Sequence, residues 1–179
     1  MPVMVALLRG VNVGGKGKLA MTDLRRAAEE CGLEDVATYI QSGNVVFSTS
    51  SNSTGTVARR LRDAVSELTD VEPEVVVRTR EQLRAVVEEN PYLERGEDVA
   101  HLHVVFASGD AEASLASVDL AAYAPEEATA MGQQLYMFLP SGLGRSKLAA
   151  DVARRGGRSG TTRNWRTVTK LMDMADAIA

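Results

Sequence analysis

The sequence predicts an α+β fold built from two ferredoxin-like βαββα(β) halves with antiparallel sheets, followed by a C-terminal helix. Over residues 1–79, apolar β-rich runs and amphipathic helical stripes alternate in the order β-α-β-β-α-β, which is the ferredoxin-like unit. The order β-α-β-β-α recurs after residue 100. We therefore expect a first subdomain over 1–79, a helix and linker over 80–100, and a second subdomain with an extra helix over 101–179.

The first half opens with a strand and a helix. Val3–Leu8 is apolar on both faces, which is typical of a central strand. Thr22 suits the N-cap of a helix that runs to about Cys31, and Gly32 suits the position after its end. Because Cys31 is a lone cysteine at a helix end, we expect it to act as a small buried apolar residue.

A hairpin, a helix and a strand complete the first half. Val36–Gln41 and Asn44–Ser48 are β-rich runs on either side of Ser42-Gly43, which predicts a hairpin. The next helix carries its apolar residues on one face, at positions 57, 61, 64, 65 and 68. A strand over Glu74–Arg78 then ends the first unit.

The second half repeats this order after a linker. A capping-box pattern at Thr79 and Gln82 predicts a helix over Arg80–Glu89, and the polar residues 90–100 connect the halves. Since Gly156–Gly160 has the composition of a loop, no fourth strand is expected in the second half. The predicted elements there are a strand over His101–Phe106, a helix over about Asp110–Val118, a hairpin of Glu126–Met131 and Gln134–Leu139, a helix ending near Arg154, and a final helix over about Arg163–Ala177.

Composition and charge limit the classes of function. With 45% hydrophobic and 25% charged residues among 179, the chain has the composition of an ordinary soluble globular protein. One cysteine and an apolar start too short to span a bilayer predict a cytoplasmic protein without membrane association. The net charge of −4 argues against general nucleic-acid binding. Residues 140–170 nevertheless hold eight basic residues and one acid, Asp151, which fits either a local anion site or a solvated helical face.

The first candidate motif is the glycine-rich segment Arg9–Lys18, between a predicted strand and a predicted helix. It contains three cations, Arg9, Lys16 and Lys18, with four glycines and no acid. Exposed N–H groups of such a backbone, next to cations and a helix start, are suited to hold an anion. An ordinary strand-to-helix loop has the same composition, so this pattern alone leaves both interpretations open.

The second candidate motif, Pro140–Lys147, is also glycine-rich and basic and precedes a helix. It is not a nucleotide-binding P-loop, because the G-x-x-x-x-G-K-[ST] spacing is absent and Lys147 follows Ser146. In a ferredoxin-like unit we expect the loops after the first and third strands to leave the same edge of the sheet. The testable expectation is that Arg9–Lys18, Pro140–Lys147 and Thr161–Arg166 converge around one pocket.

The third candidate motif opens the last helix. Thr161 or Thr162 is expected to cap it, beside Arg163 and Asn164. These two side chains suit either an anionic ligand or the anchoring of a neighbouring loop. The predicted cationic face consists of Arg163, Arg166 and Lys170. The opposite face consists of Trp165, Val168, Met172 and Ala175, so Trp165 is expected in the core, with ligand stacking as the alternative.

Other patterns carry less chemistry. His101 and His103 lie on the same face of one predicted strand, but without further ligands we favour a half-exposed strand face over a metal site. No serine elbow or isolated pair of carboxylates identifies a catalytic group, so the catalytic residues are unknown and no cofactor is predicted. The ferredoxin-like topology also occurs in RNA-recognition modules, yet Phe47 is the one aromatic residue on the predicted third strand that suits base stacking.

Four blocks of sequence together resemble the family of domain of unknown function 1697, over nearly the whole chain. They are Ala6–Lys18, Thr38–Phe47, Gly144–Leu148 and Thr161–Val168. The resemblance implies two ferredoxin-like halves in a soluble protein of bacterial type, and it implies no activity. It favours as ligand-binding candidates Arg9, Asn12, Lys16, Lys18, Gln41, Asn44, Lys147, Arg163, Asn164 and Arg166.

The leading hypothesis is therefore a protein that binds a small anionic ligand, such as a phosphate-bearing one, at these basic glycine-rich loops. An enzyme of transferase type that acts on an anionic substrate at the same site is the first alternative. Nucleic-acid binding through residues 140–170 is the second alternative, with a steep dependence on salt as its signature. The sequence gives no oligomeric state.

Overall fold

The structure is a computed structural model that describes residues 1–155 and 160–179. It contains two four-stranded antiparallel sheets with helices and a C-terminal helix, which confirms the predicted α+β fold of two ferredoxin-like halves. The chain divides into two compact units. The first unit comprises Met1–Ala85 and Lys170–Ala179, and the second comprises Val86–Thr169.

The sheet of the first unit has the strand order β2-β3-β1-β4. Its strands are β1 (Val3–Arg9), β2 (Glu34–Tyr39), β3 (Asn44–Ser48) and β4 (Glu74–Thr79), and the helices of this part of the chain are α1 (Met21–Glu30), α2 (Thr54–Leu68) and α3 (Arg80–Glu88). β1 is central, as its apolar sequence predicts, and both its neighbours are antiparallel to it. The core of the unit includes Leu24 from α1, Phe47 from β3 and Leu61 from α2, all fully buried.

Two helix boundaries test the capping predictions of the first half. Thr22 does not cap α1, because the helix begins one residue earlier, at Met21, and Ala20 is its N-cap residue. The amide groups of Asp23 and Leu24 both donate to Ala20 O at 3.0 Å. Gly32 follows the helix with φ +84° and donates to Glu29 O at 3.0 Å, as predicted.

The second sheet has the strand order β6-β7-β5-β8. Its strands are β5 (Leu102–Ala107), β6 (Glu127–Met131), β7 (Gln134–Phe138) and β8 (Gly160–Asn164), and the helices that follow α3 are α4 (Glu112–Leu115), α5 (Lys147–Arg155) and α6 (Trp165–Ala177). The predicted helix over 110–118 shortens to α4. At its start the amide of Ala111 bonds to Gly132 O at 3.0 Å, and at its end Val118 N bonds to Leu115 O at 2.9 Å as a turn.

β8 contradicts the expectation that the second half lacks a fourth strand. It pairs with β5 from His103–Asn164 to Ala107–Gly160. Position 160 in this strand is glycine for a steric reason, since a Cβ there would lie 2.9 Å from the carbonyl oxygen of Phe106. The remainder of the predicted loop, residues 156–159, which include the basic residue Arg158, lies outside the described residues.

The start of α6 also differs from its prediction. Thr161 and Thr162 lie in β8 and do not cap the helix, and Asn164 accepts from Thr167 N at 2.8 Å instead. Because Arg163 is a strand residue, it does not share a helical face with Arg166 and Lys170. The predicted apolar face is confirmed, since its members are buried: Trp165, Val168, Met172 and Ala175.

The two units repeat one arrangement at the end of the fourth strand. Arg78 in β4 and Arg163 in β8 are both buried, and burial lowers the pKa of each guanidinium. The next residue in each case caps the following helix, because Thr79 accepts from Gln82 N at 3.2 Å just as Asn164 does from Thr167. The predicted capping box at Thr79 and Gln82 is therefore confirmed, with Gln82 Oε1 accepting from Thr79 N at 2.9 Å.

The direction of each strand decides which loops leave the same edge of the sheet. Val3 of β1 pairs with Ser48 of β3, so these antiparallel neighbours end at opposite edges of the sheet. The expectation that the loops after the first and third strands leave the same edge is wrong for this reason. The loop after β1 instead shares its edge with the turn between β2 and β3, because Leu7 pairs with Asn44.

Within residues 1–155 and 160–179, none of the helices is both long and apolar enough to cross a bilayer.

Candidate functional site

The glycine-rich segment after β1 forms a small hairpin rather than an open loop. Asn12 N donates to Gly17 O at 2.8 Å, and Val13 and Lys16 exchange hydrogen bonds of 3.2 and 2.9 Å. Gly14 and Gly15, with φ of +56° and +77°, form its two-residue turn. The amide groups of Asn12, Val13 and Lys16 are thus used inside the hairpin, and anion binding by the remainder of the segment stays a prediction.

Gly17 closes this hairpin onto the end of β1. A Cβ at this position would lie 2.1 Å from Gly10 O, a distance that no side chain can occupy. Its φ is +62°, in the region that glycine adopts without strain. The glycine content of the segment therefore has a structural cause at this position.

Asn12 fastens the hairpin to the neighbouring turn. Its Nδ2 donates to Leu19 O and to Gln41 O, both at 2.8 Å, and its Oδ1 accepts from Leu19 N at 3.0 Å. Its φ of +53° lies in the left-handed region that asparagine tolerates. Asn12 is therefore a positioning residue, and Gln41 contributes its main-chain carbonyl to this contact.

The turn between β2 and β3 packs closely beneath the hairpin. A Cβ on Gly43 would lie 2.7 Å from Val11 Cγ2, so only glycine allows this approach. Asn44 is fully buried, and its Nδ2 donates to Tyr39 O at 2.9 Å and Ser42 Oγ at 3.0 Å. Asn44 thus shapes the turn from inside the fold rather than facing a ligand.

The Asn12 loop pair, by which we mean the hairpin of residues 10–18 and the turn of residues 40–43, presents cations to solvent. Lys16 and Lys18 are exposed. Neither lies within 4.0 Å of a carboxylate in the described part of the chain. Arg9, at the end of β1, has its Nη1 3.4 Å from Glu74 Oε2. The loop pair therefore joins a fixed backbone to two lysines without a carboxylate partner.

The second glycine-rich segment leads into α5, whose N-terminus is occupied by side chains of the protein. Ser146 Oγ accepts from Ala149 N at 2.8 Å, and Glu126 Oε2 accepts from Leu148 N at 3.1 Å. A carboxylate is thus already present where the amides of a helix start would receive an anion. Lys147 is exposed beside it.

Asp151 neutralises part of the basic segment. Its buried carboxylate accepts from Tyr123 Oη and Arg155 Nε, both at 2.8 Å, and from Arg154 Nη2. These donors lower the pKa of Asp151 to about 2, with the Arg155 hydrogen bond as the largest cause. Two cations of residues 140–170 are therefore engaged with the single acid of that segment.

The remaining candidates lie around β8 and the start of α6. Arg163 is buried, with Nη1 donating to Thr161 Oγ1 at 2.7 Å and Thr162 O at 2.9 Å, and burial lowers its pKa to about 10. Asn164 is engaged as a helix cap, whereas Arg166 is exposed. Arg163 is therefore part of the interior of the fold.

The candidates fall into two groups. Arg9, Asn12, Lys16, Lys18, Gln41 and Asn44 lie at one edge of the first sheet. In the second unit, Phe138 pairs with Leu102 and Asn164 pairs with His103, so the Pro140–Lys147 segment and the start of α6 leave the same edge. The convergence of all three segments around one pocket stays a prediction.

Three further residues differ in environment from their predictions. His103 is buried rather than half-exposed, its Nδ1 has no hydrogen-bond partner among the described residues, and burial lowers its pKa. No cluster of three metal-ligating side chains occurs in residues 1–155 and 160–179. Phe47 is fully buried in the first core, so it offers no face to a base. Cys31 is half-buried, and burial raises the pKa of its thiol.

Several features were not predicted from the sequence. One is that Glu126 accepts from the N-terminus of α5 and that Asp151 pairs with Arg154 and Arg155. Of these two acids, only Asp151 stands out in the sequence, as the one acid among eight basic residues. A surface groove of about 520 Å³ lies in the first unit, away from the loop pair. Its lining contains none of the predicted site residues: Glu30, Cys31, Arg60, Asp63, Ala64, Glu67 and Leu68.

Comparison with known proteins finds a matching family and a similar solved structure. The model of the family described as "Protein of unknown function (DUF1697)" matches residues 1–136. The chain belongs to this family. The structure of the conserved bacterial protein SP0830 from Streptococcus pneumoniae is similar, with a TM-score of 0.73 and 23% sequence identity over 97% of this chain and 98% of that one. A search of curated proteins gives no match. The similarity to SP0830 shows that this DUF1697 protein shares its fold.

Proposed function

We propose that this DUF1697 protein binds a small anionic ligand, of the kind that carries a phosphate group, at the Asn12 loop pair. One observation carries the proposal: Asn12 fixes two loops with three hydrogen bonds, beside two exposed lysines that no described carboxylate neutralises. Cations on a backbone fixed in advance bind an anion with a smaller loss of conformational entropy than cations on a loose loop.

The second unit supports this choice by contrast. Glu126 occupies the N-terminus of α5, Asp151 engages Arg154 and Arg155, and Arg163 is buried. Arg163 is therefore not accessible to the phosphates of a nucleic acid, and Arg154 and Arg155 are already paired with a carboxylate. Catalysis at the loop pair requires an acid, base or nucleophile beside the lysines, and the proposal is for binding alone.

The test is a titration of the ¹⁵N-labelled protein with pyrophosphate at low salt, followed by amide chemical shifts. We expect shifts at residues 10–18 and 40–43 and a dissociation constant of about 1 mM, equivalent to about 4 kcal/mol. Binding should weaken as salt screens the lysines.

A pair of double variants separates the site from general charge. Lys16→Ala/Lys18→Ala should weaken pyrophosphate binding at least about tenfold, equivalent to about 1.4 kcal/mol. Arg25→Ala/Arg59→Ala removes two exposed cations from helices of the same unit and leaves the loop pair unchanged. Equal loss of binding in both variants would show non-specific attraction and refute the site. A short RNA is titrated in the same way. If it displaces pyrophosphate and changes the amide chemical shifts of residues 140–170 rather than those of the loop pair, nucleic-acid binding is favoured.

A further inference from the structure

Two aliphatic side chains on the Asn12 loop pair face solvent. Val13 is 66% exposed and Ile40 is 48% exposed. Val13 follows Asn12 in the hairpin, and Ile40 precedes Gln41, whose carbonyl receives the Asn12 amide at 2.8 Å. The bond that joins the two loops therefore also holds these apolar residues on adjoining segments.

Ile40 has a backbone conformation that its side chain disfavours. Its φ is +45°, in the left-handed region, where β-branched residues are rare because their Cβ substituents crowd the backbone. Glycine and asparagine adopt this conformation with less strain. The fold also buries only about half of the Ile40 side chain. A strained residue that leaves apolar surface in water is a feature that points to binding.

The chemistry of the surrounding residues indicates the kind of ligand. Lys16 and Lys18 lie on the same hairpin as Val13 and complement a negative group. An occupant with a negative head and a short apolar chain satisfies both features. We propose that the ligand of the loop pair is an alkyl phosphate, whose phosphate contacts the lysines and whose chain covers Val13 and Ile40. This inference rests on the proposed function.

The experiment compares methyl phosphate with hexyl phosphate, below the concentration at which the latter aggregates, by the same amide titration. The wild-type protein should bind hexyl phosphate about tenfold more tightly, because part of the added chain leaves water. In Ile40→Asn, the ratio of hexyl to methyl phosphate affinity should fall from about tenfold to below about threefold. Asparagine tolerates the left-handed backbone, so this variant is expected to fold.

A matched control uses Leu143, which is 41% exposed in the second unit. Leu143→Ser should keep the full gain from the hexyl chain. If wild type binds both phosphates equally and Lys16→Ala/Lys18→Ala abolishes both, the alkyl inference is refuted while the proposed function stands. If neither phosphate binds in a lysine-dependent way, both are refuted. Binding to phosphatidylglycerol vesicles without binding to monomeric hexyl phosphate would also overturn the inference, because the partner would then be a lipid surface.

Discussion

The Asn12 loop pair and the segment of residues 140–166 are both rich in glycine and basic residues, yet the fold treats their charges differently. In the loop pair a neutral side chain, Asn12, fixes the backbone, and Lys16 and Lys18 stay exposed. In the second segment Glu126 accepts from the backbone amide of Leu148, and Asp151 pairs with Arg154 and Arg155. The regions therefore differ in that a carboxylate engages two cations of the second segment, whereas no carboxylate of the described residues pairs with Lys16 or Lys18.

The largest expected effect breaks the loop pair at its tightest contact. Gly17→Ala places a Cβ 2.1 Å from Gly10 O at a left-handed φ, so we expect a loss of at least about 3 kcal/mol in the free energy of unfolding. Gly15→Ala is the control, because φ is also positive there but no atom lies within 4 Å. It should cost only about 1–2 kcal/mol. Urea denaturation measures both, and equal losses would contradict the steric account.

The next effect removes the neutral fastening residue. Asn12→Ala loses three hydrogen bonds, and Leu19 loses the side-chain amide that pairs with its backbone, so we expect about 2–3 kcal/mol of destabilisation. Shifts on addition of pyrophosphate at residues 10–18 should disappear with it. Gln41→Ala keeps the carbonyl that Asn12 uses and should change the free energy of unfolding by less than about 0.5 kcal/mol. A destabilised Gln41→Ala would show that its side chain has a structural role.

A third variant removes a carboxylate from the second region, so that this region resembles the Asn12 loop pair more closely. Glu126→Ala removes the carboxylate from the N-terminus of α5 and leaves Leu148 N without this acceptor. We expect a loss of about 1 kcal/mol. Added phosphate should then raise the melting temperature of Glu126→Ala more than that of wild type, because an external anion can replace the carboxylate. The same phosphate response in both proteins would mean that Glu126 does not block an anion site.

The smallest expected difference concerns acid pH. The folded-state pKa of Asp151, about 2, lies below its ordinary value of 3.8. Its stabilisation is therefore fully present above about pH 4 and is lost as pH falls through about 2. Asp151→Asn should narrow the difference in urea midpoint between pH 5 and pH 2.5. The two guanidinium groups of Arg80 and Arg84 also lower the pKa of Asp176, which should keep part of that difference. An unchanged difference would contradict the role of Asp151.

The repeated element order was predictable because it rests on local periodicity. The apolar run of β1, the stripe of α2 and the capping box at Thr79 each specify their structure within a few residues. β8 was missed because its sequence, Gly-Thr-Thr-Arg-Asn, is polar and becomes a strand only by pairing with β5. The edge from which each loop leaves depends on the direction of its strand, and the expectation was wrong because β1 and β3 run antiparallel.

The candidate site was predictable only as a set of residue types. Asn12 and Lys16 lie in the loop between a strand and a helix that the sequence predicts, and their role in binding stays a prediction. The burial of Arg163 and the occupation of the α5 N-terminus by Glu126 depend on contacts between residues far apart in the chain. A count of basic residues in the sequence therefore does not show which of them are buried or paired with a carboxylate in the fold.

The bond between Asn12 and Gln41 has a consequence for how this surface can diversify. Asn12 holds the carbonyl of Gln41 rather than its side chain, so any residue at position 41 supplies the same acceptor. The geometry of the two loops and the side chain at position 41 are thereby encoded separately. Substitutions at position 41 can change the chemistry of this exposed surface while the two loops keep their geometry.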